Sequence, residues 1–363
     1  MTRARELAEL GAVYDNNALS SRNAIINGGM TISQRIGTTA TAITGGAYGL
    51  DRWLAYYDGN SYTTQQVADA PASSGLYNSM KLLVTGTSTP NYSFFGQKLE
   101  ANNINHIGLG TANCQSFTIS FYVKSSVTGV YSISVTNNAS NLAYPVQYTI
   151  NSADTWERKT MTIPAITSGT WEVGVGIGIF LRFNMGSPSS RTDTADGWRT
   201  GNFDGADGST GSISWATTSG ASFYITGCQL EVGDTATPFE HRTFGDDLQA
   251  CQRYFCRTYA YGTATGTANT SEGCISSVTE GAHNYASAGN FNFPVEMRAT
   301  PSVTLYSTYN ANTTGKVTAD ATDGTGSAGF IASSRCFIHR NNDSSGTGAN
   351  VLMRAHATAD AEL

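Results

Sequence analysis

The residues able to do chemistry in this chain are spread thin. Five histidines, His106, His241, His283, His339 and His356, stand far apart, and no H-E-x-x-H pair presents two imidazoles from one helix face. Three Asp-x-x-Asp-Gly stretches, carrying Asp193/Asp196, Asp204/Asp207 and Asp320/Asp323, put carboxylates in loops of the kind that supply Ca²⁺ with oxygens. None has the alternating acids of an EF-hand, and Asp ahead of Gly is ordinary turn chemistry. Gly324-Thr-Gly-Ser-Ala-Gly329 spells G-x-G-x-x-G, but a dinucleotide fingerprint must open a helix, and a strand-like Phe330-Ile-Ala follows here. Signatures of an activated serine, the nucleophile elbow and Ser-x-x-Lys, are missing. No catalytic residue, metal or cofactor is therefore expected. A carboxylate pair for glycoside cleavage needs only proximity in space, so polysaccharide cleavage stays open as an alternative. No internal repeat of a long β-helix supports it.

Tyrosine is the more suggestive residue. Of 18 in the chain, six fall between Tyr48 and Tyr92 and six more after Cys251. A tyrosine offers a flat apolar face and a hydroxyl, suited to stacking on a sugar ring or to a wet protein interface. Packing or subunit contact competes with that role at every single position, since Tyr is often partly buried. In the last third of the chain, Tyr306, Tyr309, Arg335, His339 and Arg340 are the residues from which a distal ligand-binding patch would be built.

Composition excludes other classes. Charged residues make up 13% of the chain, about half the usual share of roughly 25%. Ser and Thr, 84 together, and 39 Gly take their place, so the surface is clad in hydroxyls and amides. A net charge of -6 with only 5 Lys is wrong for nucleic acid, whose affinity rests on neutralised phosphates. No run of 18 apolar residues would span a bilayer, and Met1-Thr-Arg-Ala-Arg-Glu lacks the apolar stretch of a signal peptide. Six cysteines with no C-x-x-C pair read as reduced, buried small hydrophobes.

The elements that must position these residues are mostly strands. Residues 2–14 read as a short helix, with Leu7, Leu10 and Tyr14 on one face, serving attachment or oligomerisation. Clean alternation marks strands at Phe117–Lys124 and Tyr131–Val135, with others at 81–84, 156–163, 171–183 and 222–230. Residues 185–214, rich in Gly, Asp and Ser, read as a long surface loop that orders on assembly or holds a ligand. A helical fragment at 245–254 has acids first and Arg253 near its end, the polarity the helix dipole favours. Beyond it, strands are expected at 291–295, 302–306, 329–332, 335–339 and 351–356. The expected fold is all-β: a helical segment over 1–22, an antiparallel sandwich of two packed sheets over 23–244, a helical linker at 245–255 and a smaller β-sandwich over 256–363.

Three motifs are recognisable together. They are Asn27-Gly-Gly-Met-Thr-Ile-Ser-Gln-Arg35 with Asp51-Arg52-Trp53; Phe117–Ser126 with Thr155–Pro164; and Phe223–Glu240 running into Cys251-Gln-Arg-Tyr254. The chain resembles the carbohydrate-binding-module-like jelly-roll of tail fibres and other virion-surface proteins of tailed bacteriophages. Phe293-Pro-Val-Glu-Met-Arg-Ala-Thr-Pro301 is similar to the strand that opens the small C-terminal β-domain of such fibres. The resemblance implies a non-enzymatic homotrimer on the virion, made in the host cytoplasm. Its N-terminal segment would hold a tail or capsid protein, and its C-terminal domain would be the tip touching a host-surface glycan or protein. A capsid decoration protein or head fibre with the same module is the alternative. Residue patterning adds two expectations: Asp51-Arg52-Trp53 is a fold staple, and Cys228, Leu230 and Val232 face the core with Gln229 and Glu231 turned away.

Overall fold

The computed structural model describes residues 22–43, 45–278, 286–319, 322–340 and 351–363. The expected helix with Leu7, Leu10 and Tyr14 lies outside the described residues. The chain forms two compact units. The first takes in residues up to Thr31, Ala40–Gly49 and Trp53–Thr243; the second comprises Ile32–Thr39, Leu50–Arg52 and Phe244–Leu363. Both are built of strands, and the fold is all-β, as the alternation predicts.

The first unit is an antiparallel sandwich. Its strands are β1 (Thr41–Ala42), β2 (Ala47–Tyr48), β3 (Leu54–Asp58), β4 (Ser61–Val67), β5 (Ser79–Gly86), β6 (Tyr92–Glu100) and β7 (Phe117–Ser125). There follow β8 (Gly129–Thr136), β9 (Leu142–Ile150), β10 (Glu157–Ile163), β11 (Ile177–Asn184) and the short β12 (Thr192–Asp193), β13 (Arg199–Thr200) and β14 (Gly205–Ala206). The last is β15 (Ser222–Val232). One sheet runs β1-β4-β5-β15-β7-β10 and the other β13-β9-β8-β11-β6-β3-β2. Period-two alternation turns Phe95, Leu181, Phe183, Phe121 and Phe223 inward, where all five are buried. Phe95 stacks on Phe183 with centroids 4.7 Å apart, and Phe121 meets Phe183 edge-on at 5.1 Å.

The recognisable motifs have physical work in this sandwich. Trp53 donates its indole N–H to the carbonyl of Asn27 at 3.1 Å and packs on Phe95 and Phe183. A Cβ on Gly28 would run into the carbonyl oxygen of Cys228, so only glycine lets the two backbones approach this closely. On β15, Cys228 and Leu230 are buried as expected, but so are Gln229 and Glu231. Residues 234–240 cover that face. Glu231 accepts hydrogen bonds from the Thr237 amide at 2.9 Å and hydroxyl at 2.6 Å, and Gln229 accepts from the Glu240 amide at 2.8 Å. Trp171–Gly176 is not strand; only Ile177–Asn184 is.

The second unit contains the helix Phe244–Gln252 and the strands β16 (Phe255–Arg257), β17 (Ile275–Val278), β18 (Ala286–Asn292) and β19 (Ser302–Tyr306). It is completed by β20 (Lys316–Ala319), β21 (Thr322–Gly329), β22 (Arg335–Arg340) and β23 (Leu352–Asp360). β23 is the hub: its first half pairs with β17 and β20 and its second with β16 and β19. Cys256, Phe291, Met297, Val317, Ile338 and Met353 are among the residues that fill its core. All six cysteines are free thiols, and Cys228, Cys251, Cys256 and Cys336 are buried.

Asp51 and Arg52 belong to this unit and do not pair with each other. Asp51 accepts the Gln34 amide and side chain at 2.6 Å each. Arg52 lies over the Tyr254 ring at 3.5 Å and donates to Glu362. Burial pushes the Asp51 carboxyl up against the pull of Arg35. The G-x-G-x-x-G stretch is the body of β21, and of the expected strand at 329–332 only Gly329 is strand, as the last residue of β21, with a turn following it. Phe330 sits there with φ +49° and is 88% exposed.

Candidate functional site

β22 tests whether the five patch residues of the second unit can converge. Arg335, Phe337 and His339 share one face, and Cys336, Ile338 and Arg340 share the other, buried one. Arg335 stands over Phe337 at 5.6 Å, and the His339 ring meets the Ser327 hydroxyl at 2.8 Å. Tyr306 lies on β19, with its ring near Tyr259 at 6.1 Å, and Tyr309 is 47% exposed in the turn beyond. Strand parity alone separates Arg340 from Arg335 and His339, so these residues do not make one patch.

The first unit holds a better candidate. On the β13-to-β2 sheet, the residues that alternate away from the core are Tyr56 on β3, Phe94 and Lys98 on β6, and Phe180 and Arg182 on β11. Register sets Lys98 opposite Phe180 and Tyr56 opposite Phe94. Gly96 lies between Phe94 and Lys98, opposite Arg182, and a Cβ there would run into the carbonyl oxygen of Leu181. These residues floor a cleft of about 430 Å³. Tyr92 and Ile177 line it as well, Asn137, Asn138 and Ser140 come from the β8–β9 turn, and Arg191 and Asn202 come from the 185–214 stretch. That stretch, expected as a long surface loop, carries the short β12, β13 and β14 and the start of a helix, Thr210–Thr217, and supplies part of the cleft wall.

The floor is an aromatic cluster. Phe94 and Phe180 meet edge-to-face at 5.7 Å, and Tyr56 lies 5.3 Å from Phe94. Phe94 and Phe180 are buried, whereas Tyr56, Tyr92 and Ile177 are half-buried and keep apolar surface toward the opening. The Arg182 guanidinium lies 4.6 Å from the Phe180 centroid and 5.0 Å from that of Phe94, a cation held on ring faces.

A buried charge network fixes the polar side. Asp204, wholly buried, accepts Arg191 Nε at 3.1 Å and Nη2 at 2.8 Å, Arg182 Nη1 at 3.1 Å and the Ser187 hydroxyl at 2.9 Å. Arg182 also donates to Asn202 Oδ1 at 2.6 Å and to the Ser140 hydroxyl at 2.8 Å, tying both walls to the floor. Its Nε has no hydrogen-bond partner among the described residues. Burial pulls the Arg182 guanidinium down to about 10 against the pull of Asp204, so it stays cationic at neutral pH. The Asp204/Asp207 pair expected as turn chemistry is therefore divided. Asp204 anchors the arginines, and Asp207 accepts the Thr192 hydroxyl at 2.5 Å.

This site has the makings of a sugar-binding surface. Ring faces meet the apolar face of a pyranose, while guanidinium and amide groups meet its hydroxyls. The sequence carried two signals for it. Tyr56 and Tyr92 belong to the early tyrosine cluster, and in Ile177–Asn184 the alternate positions Phe180 and Arg182 stand opposite an Ile179-Leu181-Phe183 face.

No protein-family model matches the sequence, and no curated protein matches it. Solved structures similar to the chain include the enzymatically active domain of bacteriophage CBA120 tailspike protein 4, at 13% identity and a TM-score of 0.32. That match covers 58% of this chain and 22% of the tailspike chain. TmCBM61 in complex with β-1,4-galactotriose matches at 12% identity and a TM-score of 0.30, over 58% of this chain and 99% of that one. The family 11 carbohydrate-binding module of the cellulosomal cellulase Lic26A-Cel5E of Clostridium thermocellum matches at 16% and 0.27, over 56% and 99%.

Proposed function

We propose that this chain is a non-catalytic glycan-binding subunit of a phage virion surface, a homotrimeric tail fibre that attaches to the host through the cleft of its first unit. The observation that carries the reading is the aromatic floor of Tyr56, Phe94 and Phe180 with Arg182 laid across it in a 430 Å³ cleft. The motifs from Asn27 to Tyr254, with their likeness to virion-surface jelly-rolls, support the setting. The lining supports binding over cleavage. Among the described residues it contains no carboxylate, and the acid behind it, Asp204, is held by two guanidinium groups, whereas glycoside hydrolysis calls for a pair of carboxyl groups across the bond. Weak contacts at one cleft gain strength when several copies engage one surface.

Three measurements test this. The intact chain should bind oligosaccharides from the host surface, and Tyr92→Ala should weaken that binding by roughly ten-fold, the scale of one lost aromatic contact. Reducing ends should not accumulate when host polysaccharide is incubated with the protein. Light scattering should return the mass of three chains. Binding indifferent to Tyr92→Ala with the fold intact would remove the cleft from the mechanism, and sustained release of reducing ends would make the protein an enzyme.

A further inference from the structure

His356 stands on β23, the hub strand of the second unit, and is wholly buried. Its imidazole bridges the two ends of the segment 258–270. The Thr258 hydroxyl lies 3.0 Å from Nδ1, and the Thr270 carbonyl 3.2 Å from Nε2. A carbonyl only accepts, so Nε2 carries the proton; the Thr258 oxygen accepts the Ala357 amide at 2.9 Å and turns its own proton to Nδ1. Every bond in this set suits the neutral ring, in one tautomer. Tyr259 stacks on the imidazole at 3.8 Å and meets Tyr306, the residue of β19 that pairs with His356. The bridged segment holds a neighbour in turn. The Asn269 amide donates to the Thr308 carbonyl at 3.0 Å and the Asn312 amide to the Gly266 carbonyl at 2.9 Å, on either side of the exposed Tyr309.

A proton added at Nδ1 would meet no counter-charge. Residues 258–270 contain no charged side chain, β17 has none, and β19 brings only the phenol of Tyr306. On the same face of β23 stand Arg354, which donates to Ser271 and has the Cys274 thiol nearby, and Asp360, four residues along and held by Arg35. Arg257 of β16, opposite Thr358, donates to the Thr263 carbonyl. β20 adds another cation, Lys316, and Asp323 of β21 is taken up by Ser307, Thr318 and Asn310. Glu272, beyond Thr270, is exposed. An imidazolium would thus be buried between the strand positions of two guanidinium groups, which desolvation and like charge both oppose. We propose that His356 is an acid-released clip: neutral, it fastens the 258–270 segment to β23, and a proton on Nδ1 breaks the Thr258 bond and frees the segment together with the turn that displays Tyr309. Burial holds the ring below its ordinary 6.5, partly offset by the Thr270 bond. With the folded value below the unfolded one, the open state binds more protons, so the clip holds fully above 6.5 and weakens as pH falls from there toward the folded value.

The test follows the intact chain by hydrogen exchange, corrected for its intrinsic pH dependence, alongside nitrogen-edited spectra of the imidazoles. At neutral pH the His356 ring should carry its proton on Nε2, and it should titrate below 6.5. Protection of 258–270 should fall reversibly by about ten-fold or more between roughly pH 7.5 and 5, the scale of one pKa unit, while that of β7 stays as it was. His356→Gln should lose this pH dependence, and His339→Gln, on β22, should keep it. An unchanged pH dependence in His356→Gln overturns the clip. Should that variant fail to fold, the wild type decides alone: a ring protonated on Nδ1 at neutral pH, titration at or above 6.5, or protection of 258–270 indifferent to pH each overturns it.

Discussion

Asp204 illustrates how much a single residue carries here. Four hydrogen bonds converge on it, three of them from two guanidinium groups of unequal exposure: the Arg182 side chain is 4% exposed and that of Arg191 26%. Removing one partner of a buried ion pair strands the other charge, at about 3–5 kcal/mol, whereas an exposed pair is worth about 1 kcal/mol or less. Asp204→Ala should therefore destabilise the first unit by a few kcal/mol, and Arg191→Ala by about 1 kcal/mol, since Arg182 and Ser187 still satisfy the carboxylate. Urea unfolding of the two variants checks this; equal losses would mean that Arg182 does not depend on Asp204. Nothing local in Phe203-Asp-Gly-Ala distinguishes this acid from a turn aspartate, because its partners lie 13 and 22 residues away along the chain. What the sequence does show is the parity of Phe180 and Arg182 on a strand whose other face is apolar, and the tyrosines that join them.

Among the elements, legibility follows from what the second face of a strand must do. β7, β8, β19 and β22 have one apolar face and one polar one, and alternation finds them. β6 does not alternate, because Phe94 and Lys98 on its outer side floor the cleft while Phe95 and Leu99 fill the core. β9 holds a proline, Pro145, within its run, tolerated where its neighbour β13 is only two residues long. β21 reads as loop for want of apolar residues, yet its Gly, Ser and Thr pair with β20 and β22. The start of β10 yields a pH prediction. Glu157 accepts the Asn151 and Ser152 amides at 2.8 and 2.9 Å, and Lys159 and the Asn151 side chain also donate to it. Burial alone would raise this carboxyl; the Lys159 bond and the amides outweigh it and bring it to about 2 from an ordinary 4.5. A depressed acid stabilises the fold above its unfolded value and loses that contribution as pH falls through its folded one. Thermal midpoints of the wild type should exceed those of Glu157→Gln above pH 4.5, and the gap should close between pH 4.5 and about 2. A gap constant across that window would show that Glu157 is not ionised in the fold.

At the scale of the whole molecule, the sequence suggests domains that follow one another, and the second unit is not contiguous in that way. Its interior is closed by residues that come more than 200 positions earlier: Gln34 donates to the Phe255 carbonyl at 3.0 Å, and Arg35 lies over the Phe255 ring at 3.7 Å. Arg35 reaches Asp360 at 2.9 Å and Glu362 at 3.3 Å, and Arg52 pairs with Glu362 under the Tyr254 ring. Early basic residues and late acidic ones thus meet in one cluster, buried at Arg52 and Glu362 and open to solvent at Asp360, which no reading of local pattern foresees. Two consequences separate this arrangement from a self-sufficient C-terminal domain. A fragment starting at Phe244 lacks Gln34, Arg35, Asp51 and Arg52, so Asp360 and Glu362 lose their cations, and the fragment should fail to give the dispersed amide spectrum of a folded β-domain. In the full chain, Glu362→Ala removes the carboxylate that pairs with the buried Arg52 guanidinium, whose side chain is 1% exposed, and should cost the second unit about 3–5 kcal/mol. Protection of β16, β19 and β23 amides from hydrogen exchange should fall accordingly, while that of β6, β7 and β11 stays as it was. A Phe244–Leu363 fragment that folds alone with full protection of β23 would contradict the scheme, because the cluster would then contribute little to holding the second unit together.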